Sequence, residues 1–186
     1  MQASHKASPL QSLSARHWSL AGLAFCALMM GVALTLEHVA GLEPCPLCIF
    51  QRVAVLATAA VLAIAAIHNP RGWGRALYGT LGLLGVAGGI AVAWRHLWLQ
   101  SLPADQVPSC GPGLNYMIEI LPMRQVLTHV LSGSGECAEI DFLFLGISLP
   151  GWTLIGFVML ALAPLGLLVG AWRSHNRRAV AHPETP

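Results

Sequence analysis

Charge is what this sequence has least of. Only 10% of its 186 residues are Asp, Glu, Lys or Arg, against 55% hydrophobic, too little polar surface to cover a soluble globule of this size. The chain is therefore expected in lipid. The formal net charge is +2, and the basic residues form short clusters between apolar stretches, with no stripe interleaved with aromatics. Nucleic acid is not an expected partner. Also missing is the alternation of apolar and polar residues that marks a membrane barrel strand. No small-residue cleavage site clearly follows the first apolar stretch, so despite Lys6 and Arg16 ahead of it that stretch is expected to be a retained span.

Long apolar runs are what the chain has in quantity. Four of them, roughly residues 18–36, 49–67, 76–94 and 147–172, approach or exceed the ~20 residues of helix that cross a bilayer. Backbone groups in hydrocarbon must be bonded internally, so each run reads as a helix. The expected fold is an all-α membrane protein, a four-transmembrane-helix bundle forming a single integral membrane domain over residues 1–186, with a long outer loop at 95–146.

An even number of spans puts both termini on one side. Lys6, Arg16, Arg71, Arg75, Arg173, Arg177 and Arg178 lie in the tails and the second loop, leaving Arg52, Arg95 and Arg124 for the other side. Both termini are thus expected to be cytoplasmic. Glu37, Glu43, Asp105, Glu119, Glu136, Glu139 and Asp141 fall outside and Glu184 alone inside, the reverse bias, which carries less weight. Trp18, Trp73 and Trp172 mark the cytoplasmic edges of the spans, and Trp94, Trp98 and Trp152 the opposite edges, as an aromatic belt requires.

The short link from His68 to Arg75 makes spans two and three antiparallel neighbours, whereas the long outer loop, rich in Pro and Gly, is where function is expected. Within it, Leu114 to Leu131 places Leu114, Met117, Ile118, Leu121, Val126 and Val130 among Glu119, Arg124 and His129, with Pro122 as an interruption. A short helix on the membrane surface fits this pattern, and so does a loop element packed on the bundle.

Four of the five cysteines, Cys45, Cys48, Cys110 and Cys137, fall on the outer side, in a compartment that permits disulfides. Cys26 lies within the first span and reads as a small core residue. The CxxC of Cys45 and Cys48 stands where the chain enters span two, so the second sulfur falls in a first helical turn near unpaired N–H groups and the positive end of the helix dipole, which favours thiolate at Cys48. Arg52, four residues on, shares its helix face. An arginine at that depth is costly unless paired, and its alternatives are a functional role beside the thiol or snorkelling to the interface. A structural zinc site wants four ligands, commonly two such cysteine pairs, but Cys110 and Cys137 are far apart and His96 has no histidine at ligand spacing; no metal is expected. A purely structural disulfide suits a CxxC poorly, because so short a loop contributes little stability. Two cysteine pairs of unlike character suggest a relay.

The run Pro44-Cys45-Pro46-Leu47-Cys48-Ile49-Phe50-Gln51-Arg52, then Arg95-His96 with Gln100 ahead of Ser109-Cys110-Gly111, and Gly135-Glu136-Cys137-Ala138-Glu139, resemble the DsbB family of disulfide bond formation proteins through all four spans. Phe142 departs from the pattern, since many relatives carry tryptophan after the last cysteine, and the tail before Arg16 is longer than usual. The resemblance implies a protein-disulfide-generating oxidoreductase of the bacterial inner membrane, with its redox cysteines on the periplasmic side. In the family the outer-loop disulfide, here Cys110 with Cys137, is attacked by a reduced periplasmic DsbA-like dithiol oxidase. Electrons then pass to Cys45 and Cys48 and on to ubiquinone (or menaquinone) in the membrane pool. Arg52 matches the arginine that binds the quinone ring and His96 a histidine near it, though a structural helix-end role for His96 stays open. DsbA-type oxidants lie near about −120 mV, so ordinary cysteine pairs would not readily oxidise one without a quinone sink. Cys110 is the expected point of attack because the flexible turn Gly111-Pro112-Gly113 follows it. The alternatives are a vitamin K epoxide reductase-like enzyme, whose quinone-side CxxC belongs near the end of the bundle instead of heading span two, and a non-catalytic membrane scaffold or metal-binding protein.

Overall fold

The computed structural model describes residues 14–103, 105–107, 119–133, 135–140 and 142–181. Among them are four helical segments long and apolar enough to cross a membrane. They are α1 (Ala15–His38), α2 (Pro46–His68), α3 (Trp73–Gln100) and a last span made of two consecutive helices, α5 (Leu149–Leu160) and α6 (Leu162–Ala181). Between α3 and α5 lie α4 (Met123–Ser132), a single 3₁₀ turn (Gly135–Cys137) and a two-stranded hairpin, β1 (Leu143–Phe144) with β2 (Ile147–Ser148). The four spans close a ring in which α1 packs on α2, α2 on α3, α3 on α5 and α6, and α6 on α1.

Each turn has a local cause. Asn69 ends α2 in the left-handed conformation with its N–H on the Ala65 carbonyl; Pro70 and Gly72 follow, and α3 starts at Trp73. That tight link makes α2 and α3 antiparallel neighbours. The last span bends at Ala161 because Pro164 has no N–H to give the Leu160 carbonyl. The helix path nonetheless continues through Ala161 N–H to Phe157 and Leu165 N–H to Ala161.

Small residues set the spacing of the bundle. A Cβ on Gly22 would sit 2.7 Å from both Ala163 and Leu62, and one on Gly89 2.2 Å from the ring of Phe157. Glycine at these positions lets α1 approach the last span and α3 receive Phe157, the close helix approach that packing in lipid requires. Around them Cys26, Val55, Leu62, Val86, Ala93, Phe157, Leu160 and Leu167 form the main core, so Cys26 is the buried core residue its position in the first run suggested.

The helices run beyond the apolar runs at most ends. α3 continues to Gln100, so Arg95 and His96 stand on the helix and the outer loop starts at 101 instead of 95. α2 starts at Pro46, before the CxxC is complete. The last helix starts at Leu149, because 147 and 148 are held in the hairpin, whose turn residues Leu145 and Gly146 both have positive φ (53° and 77°). Of the expected surface helix, residues 114–118 lie outside the described residues; Glu119 and Ile120 are helical, the helix is interrupted at Leu121 and Pro122, and α4 runs on from Met123. It packs on the bundle: Val126 is buried with Leu47 and Leu99, while Ile120 and Met123 are exposed. The stretch thus contains the expected short helix, seated on the bundle through Val126.

Candidate functional site

The CxxC is positioned by the start of α2. Pro44 and Pro46 bracket Cys45, which is extended (φ −64°, ψ 163°) as a residue before proline should be. Pro46 then takes the first helical position, where a missing N–H costs nothing. Cys45 is thus the residue before the helix and Cys48 lies in its first turn, as the spacing suggested. The two sulfurs are 3.2 Å apart in the hydrogen-bonding contact of a dithiol.

His96 reaches them from α3. It is 3% exposed, with Nε2 3.8 Å from the Cys45 sulfur and Nδ1 4.0 Å from the Cys48 sulfur. Buried Gln51, on the helix face turned to α3, places its amide nitrogen 3.3 Å from His96 Nδ1. With that amide donating, Nδ1 accepts and the ring proton sits on Nε2, facing Cys45. His96 is thereby brought into the CxxC environment instead of serving only as a helix-end residue.

Cys45, Cys48 and His96 therefore present three ligand atoms within 4.8 Å of one another. Structural zinc takes four ligands, and thiolates on one tetrahedral ion at about 2.3 Å stand roughly 3.8 Å apart. The 3.2 Å sulfur contact is closer than that, and Nδ1 is already engaged by Gln51. Among the described residues these three are one ligand short of a closed structural zinc site.

Cys137 is 1% exposed and packs with Leu47, Leu99 and Val126, with Cys45 against the same cluster. Gln100 holds its segment there: its amide nitrogen donates to the Glu139 carbonyl (3.3 Å), and its oxygen accepts from the Ser148 hydroxyl (2.8 Å). Cys110 lies outside the described residues.

Arg52 reaches across to α1. Its guanidinium is ion-paired with Glu37 and donates to the Ala33 carbonyl at 3.4 Å. A cation at this depth was expected to need a partner, and Glu37 supplies it. Glu37, Cys45, Cys48, Arg52 and His96 all border one cavity of about 500 Å³ between α1, α2 and the last span, within the usual range for small-molecule sites. Phe25, Met29, Leu36, Ile155 and Met159 make its walls largely apolar.

The thiol pair at the head of the second span, the arginine one turn on and Cys137 all lie within the part of the chain that a known family covers. The family model for disulfide bond formation protein DsbB matches residues 15–167. The chain belongs to the DsbB family. A disulfide bond formation protein B from Chromohalobacter salexigens is 60% identical over 162 residues, 87% of this chain and 94% of that one. One from Nitrosococcus oceani is 51% identical, covering 82% and 90%, and one from Acinetobacter baumannii 55%, covering 78% and 87%. As a DsbB family member with four membrane-spanning helices, the chain is an integral membrane protein for disulfide formation.

Glu37 and Gln51 escape sequence reasoning. Glu37 closes the first apolar run and reads as one more outer charge; its signal was its place in the last turn of a span, where an acid is unfavourable. Gln51 is an uncharged residue in an apolar helix, and only the resemblance singled out the run that contains it.

Proposed function

We propose that the chain is a quinone-dependent thiol:disulfide oxidoreductase of the bacterial inner membrane, which reoxidises a periplasmic DsbA-like dithiol oxidase and delivers the electrons to ubiquinone or menaquinone. The observation that carries the reading is that Cys45, Cys48 and Arg52 line one largely apolar cavity. A hydrophobic ring with polar oxygens fits those walls and that cation. When bound, a quinone supplies an acceptor for two electrons and two protons.

Each of the four cysteines outside the first span has a role in this reading. The partner's thiolate attacks Cys110 of a Cys110–Cys137 disulfide, and Cys137 leaves as thiolate. Cys137, buried in the cluster against which Cys45 packs, attacks the Cys45–Cys48 disulfide at Cys45 and releases Cys48 toward the cavity. The partner's second thiol then resolves the mixed disulfide at Cys110. As Cys137 re-forms its bond with Cys110, Cys45 and Cys48 remain as the dithiol that reduces the acceptor. His96 Nε2–H faces Cys45 and would stabilise the charge on that sulfur as it leaves Cys137. Arg52 would bind an acceptor oxygen and stabilise negative charge arising there.

The Lys and Arg asymmetry supports an orientation with the CxxC end outside the cytoplasm. The reading is tested by mixing purified protein with a reduced thioredoxin-fold dithiol partner and a soluble quinone and following quinone absorbance. Turnover that requires both partner and Cys48 is expected; oxidation of the partner with no change in quinone would overturn the quinone assignment.

A further inference from the structure

Glu37 stands where a carboxylate has local reasons not to be. It lies in the last turn of α1, where free carbonyls and the negative end of the helix dipole repel an acid. It borders an apolar cavity, and pairing charges in such a setting costs more desolvation than it returns unless both groups are used. Its ion pair with Arg52 accounts for its charge but not for the choice of a carboxylate, since the Ala33 carbonyl already accepts from the same guanidinium.

Two further facts bear on that choice. Glu37 lines the cavity with Arg52 and Cys48, and its side chain is 29% exposed in the last turn of α1, at the end of that span. Reduction of a quinone to a quinol consumes two protons, and Arg52, always charged, cannot give one up. His96 is turned to Cys45 and Gln51. Glu37 is the carboxylate in contact with Arg52.

We propose that Glu37 is a proton-carrying residue, paired with Arg52 in the resting site and passing protons from water at the cavity mouth to the acceptor oxygen that Arg52 holds. The inference rests on the quinone-linked reading above. The step balances without a further reactant. Closing the Cys45–Cys48 disulfide releases two electrons and two protons; the electrons go to the acceptor, the thiol protons leave to the outer water, and Glu37 returns protons one at a time from that water. Between transfers it is a carboxylate again and re-forms its pair with Arg52.

The test uses full-length protein freed of bound quinone, with Glu37→Gln, Glu37→Asp and Glu37→Ala. Quinone binding, read by quenching of tryptophan fluorescence, should stay within about threefold of the parent in all three, because Arg52 remains. Quinone turnover in Glu37→Gln should fall about a hundredfold, the scale of a lost general acid, while Glu37→Asp keeps most of it. Millimolar formate or acetate should restore turnover in Glu37→Ala but not in the parent, a response that a merely structural carboxylate does not give. Parent-like turnover in Glu37→Gln overturns the inference, and so does a binding loss that matches the rate loss. Should Glu37→Gln fail to fold, Glu37→Ala without rescue by either acid overturns it equally. A parent that reduces no quinone overturns the functional reading instead.

Discussion

The amide of Gln51 lies 3.3 Å from Nδ1 of His96, joining α2 to α3 with both side chains 3% exposed. A buried imidazole needs a partner for each nitrogen it keeps from water, and an amide donating to Nδ1 keeps the ring proton on Nε2, toward Cys45. Gln51→Leu should therefore slow electron transfer from Cys137 to Cys45 by about fivefold, equivalent to the ~1 kcal/mol of one buried hydrogen bond. Gln51→Glu, which keeps an acceptor and forces the proton onto Nδ1, should give a different loss. Stopped-flow oxidation of a reduced partner resolves the two, and equal rates in both variants and the parent would leave the contact without a role.

Arg52→Met should weaken quinone affinity by the ~1.5–3 kcal/mol of a charged hydrogen bond, roughly 10- to 150-fold. Arg52→Lys should recover only part of it, because an ammonium cannot span Glu37, the Ala33 carbonyl and a ligand with one planar fork. Titrating quinone against tryptophan fluorescence measures this; an unchanged affinity would mean that Arg52 only anchors α2 to α1.

The order of the relay is accessible through Cys137→Ser. With the partner's second cysteine removed, this variant should form a reducible covalent adduct through Cys110 that disappears when Cys110→Ser is added. Cys45→Ser or Cys48→Ser should stop quinone reduction while the partner still attacks the outer-loop disulfide. An adduct at Cys45 or Cys48 with Cys110 present would reverse the direction of flow.

Orientation can be read with a membrane-impermeant maleimide on intact spheroplasts. In a background without other reactive cysteines, Val39→Cys, at a site 82% exposed beside the CxxC end, should label directly. Arg173→Cys, on exposed helix at the other end, should label only after lysis. The opposite pattern would place the redox cysteines in the cytoplasm.

Packing gives a test independent of redox chemistry. Gly89→Ala puts a Cβ 2.2 Å from the fully buried Phe157 ring, which has no free space to move into, and should cost about 1–3 kcal/mol. Gly31→Ala on α1, with nothing within 4 Å, should be neutral or slightly stabilising. Thermal unfolding in detergent compares them.

The spans were legible because bilayer thickness dictates a run length that few other constraints produce. Their ends were less so. Arg95, His96 and Gln100 look like loop residues by polarity, yet His96 and Gln100 have partners on the bundle, and α3 carries all three outward. The hairpin at 143–148 has exposed Leu143, Phe144 and Leu145 and only Gly146 as a turn signal, so its first four residues read as outer loop and its last two as the start of a membrane run. Cys45, Cys48 and Arg52 stood out because their spacing on one helix is a local fact. The approach of Glu37 to Arg52 and of Gln51 to His96 depends on how neighbouring helices are rotated, which no single segment encodes.

The cavity is open on its flank. Leu28 and Val32 of α1 and Ile155 and Met159 of the last span border it and are also exposed on the outside of the bundle, so a ligand can slip in sideways between these two helices without passing through water. Supply then follows two-dimensional diffusion within the leaflet, and the concentration that matters is the mole fraction of ligand among lipids. An apparent KM measured in micelles should rise in proportion to detergent at fixed total quinone, a surface-dilution effect that a water-facing pocket would not display.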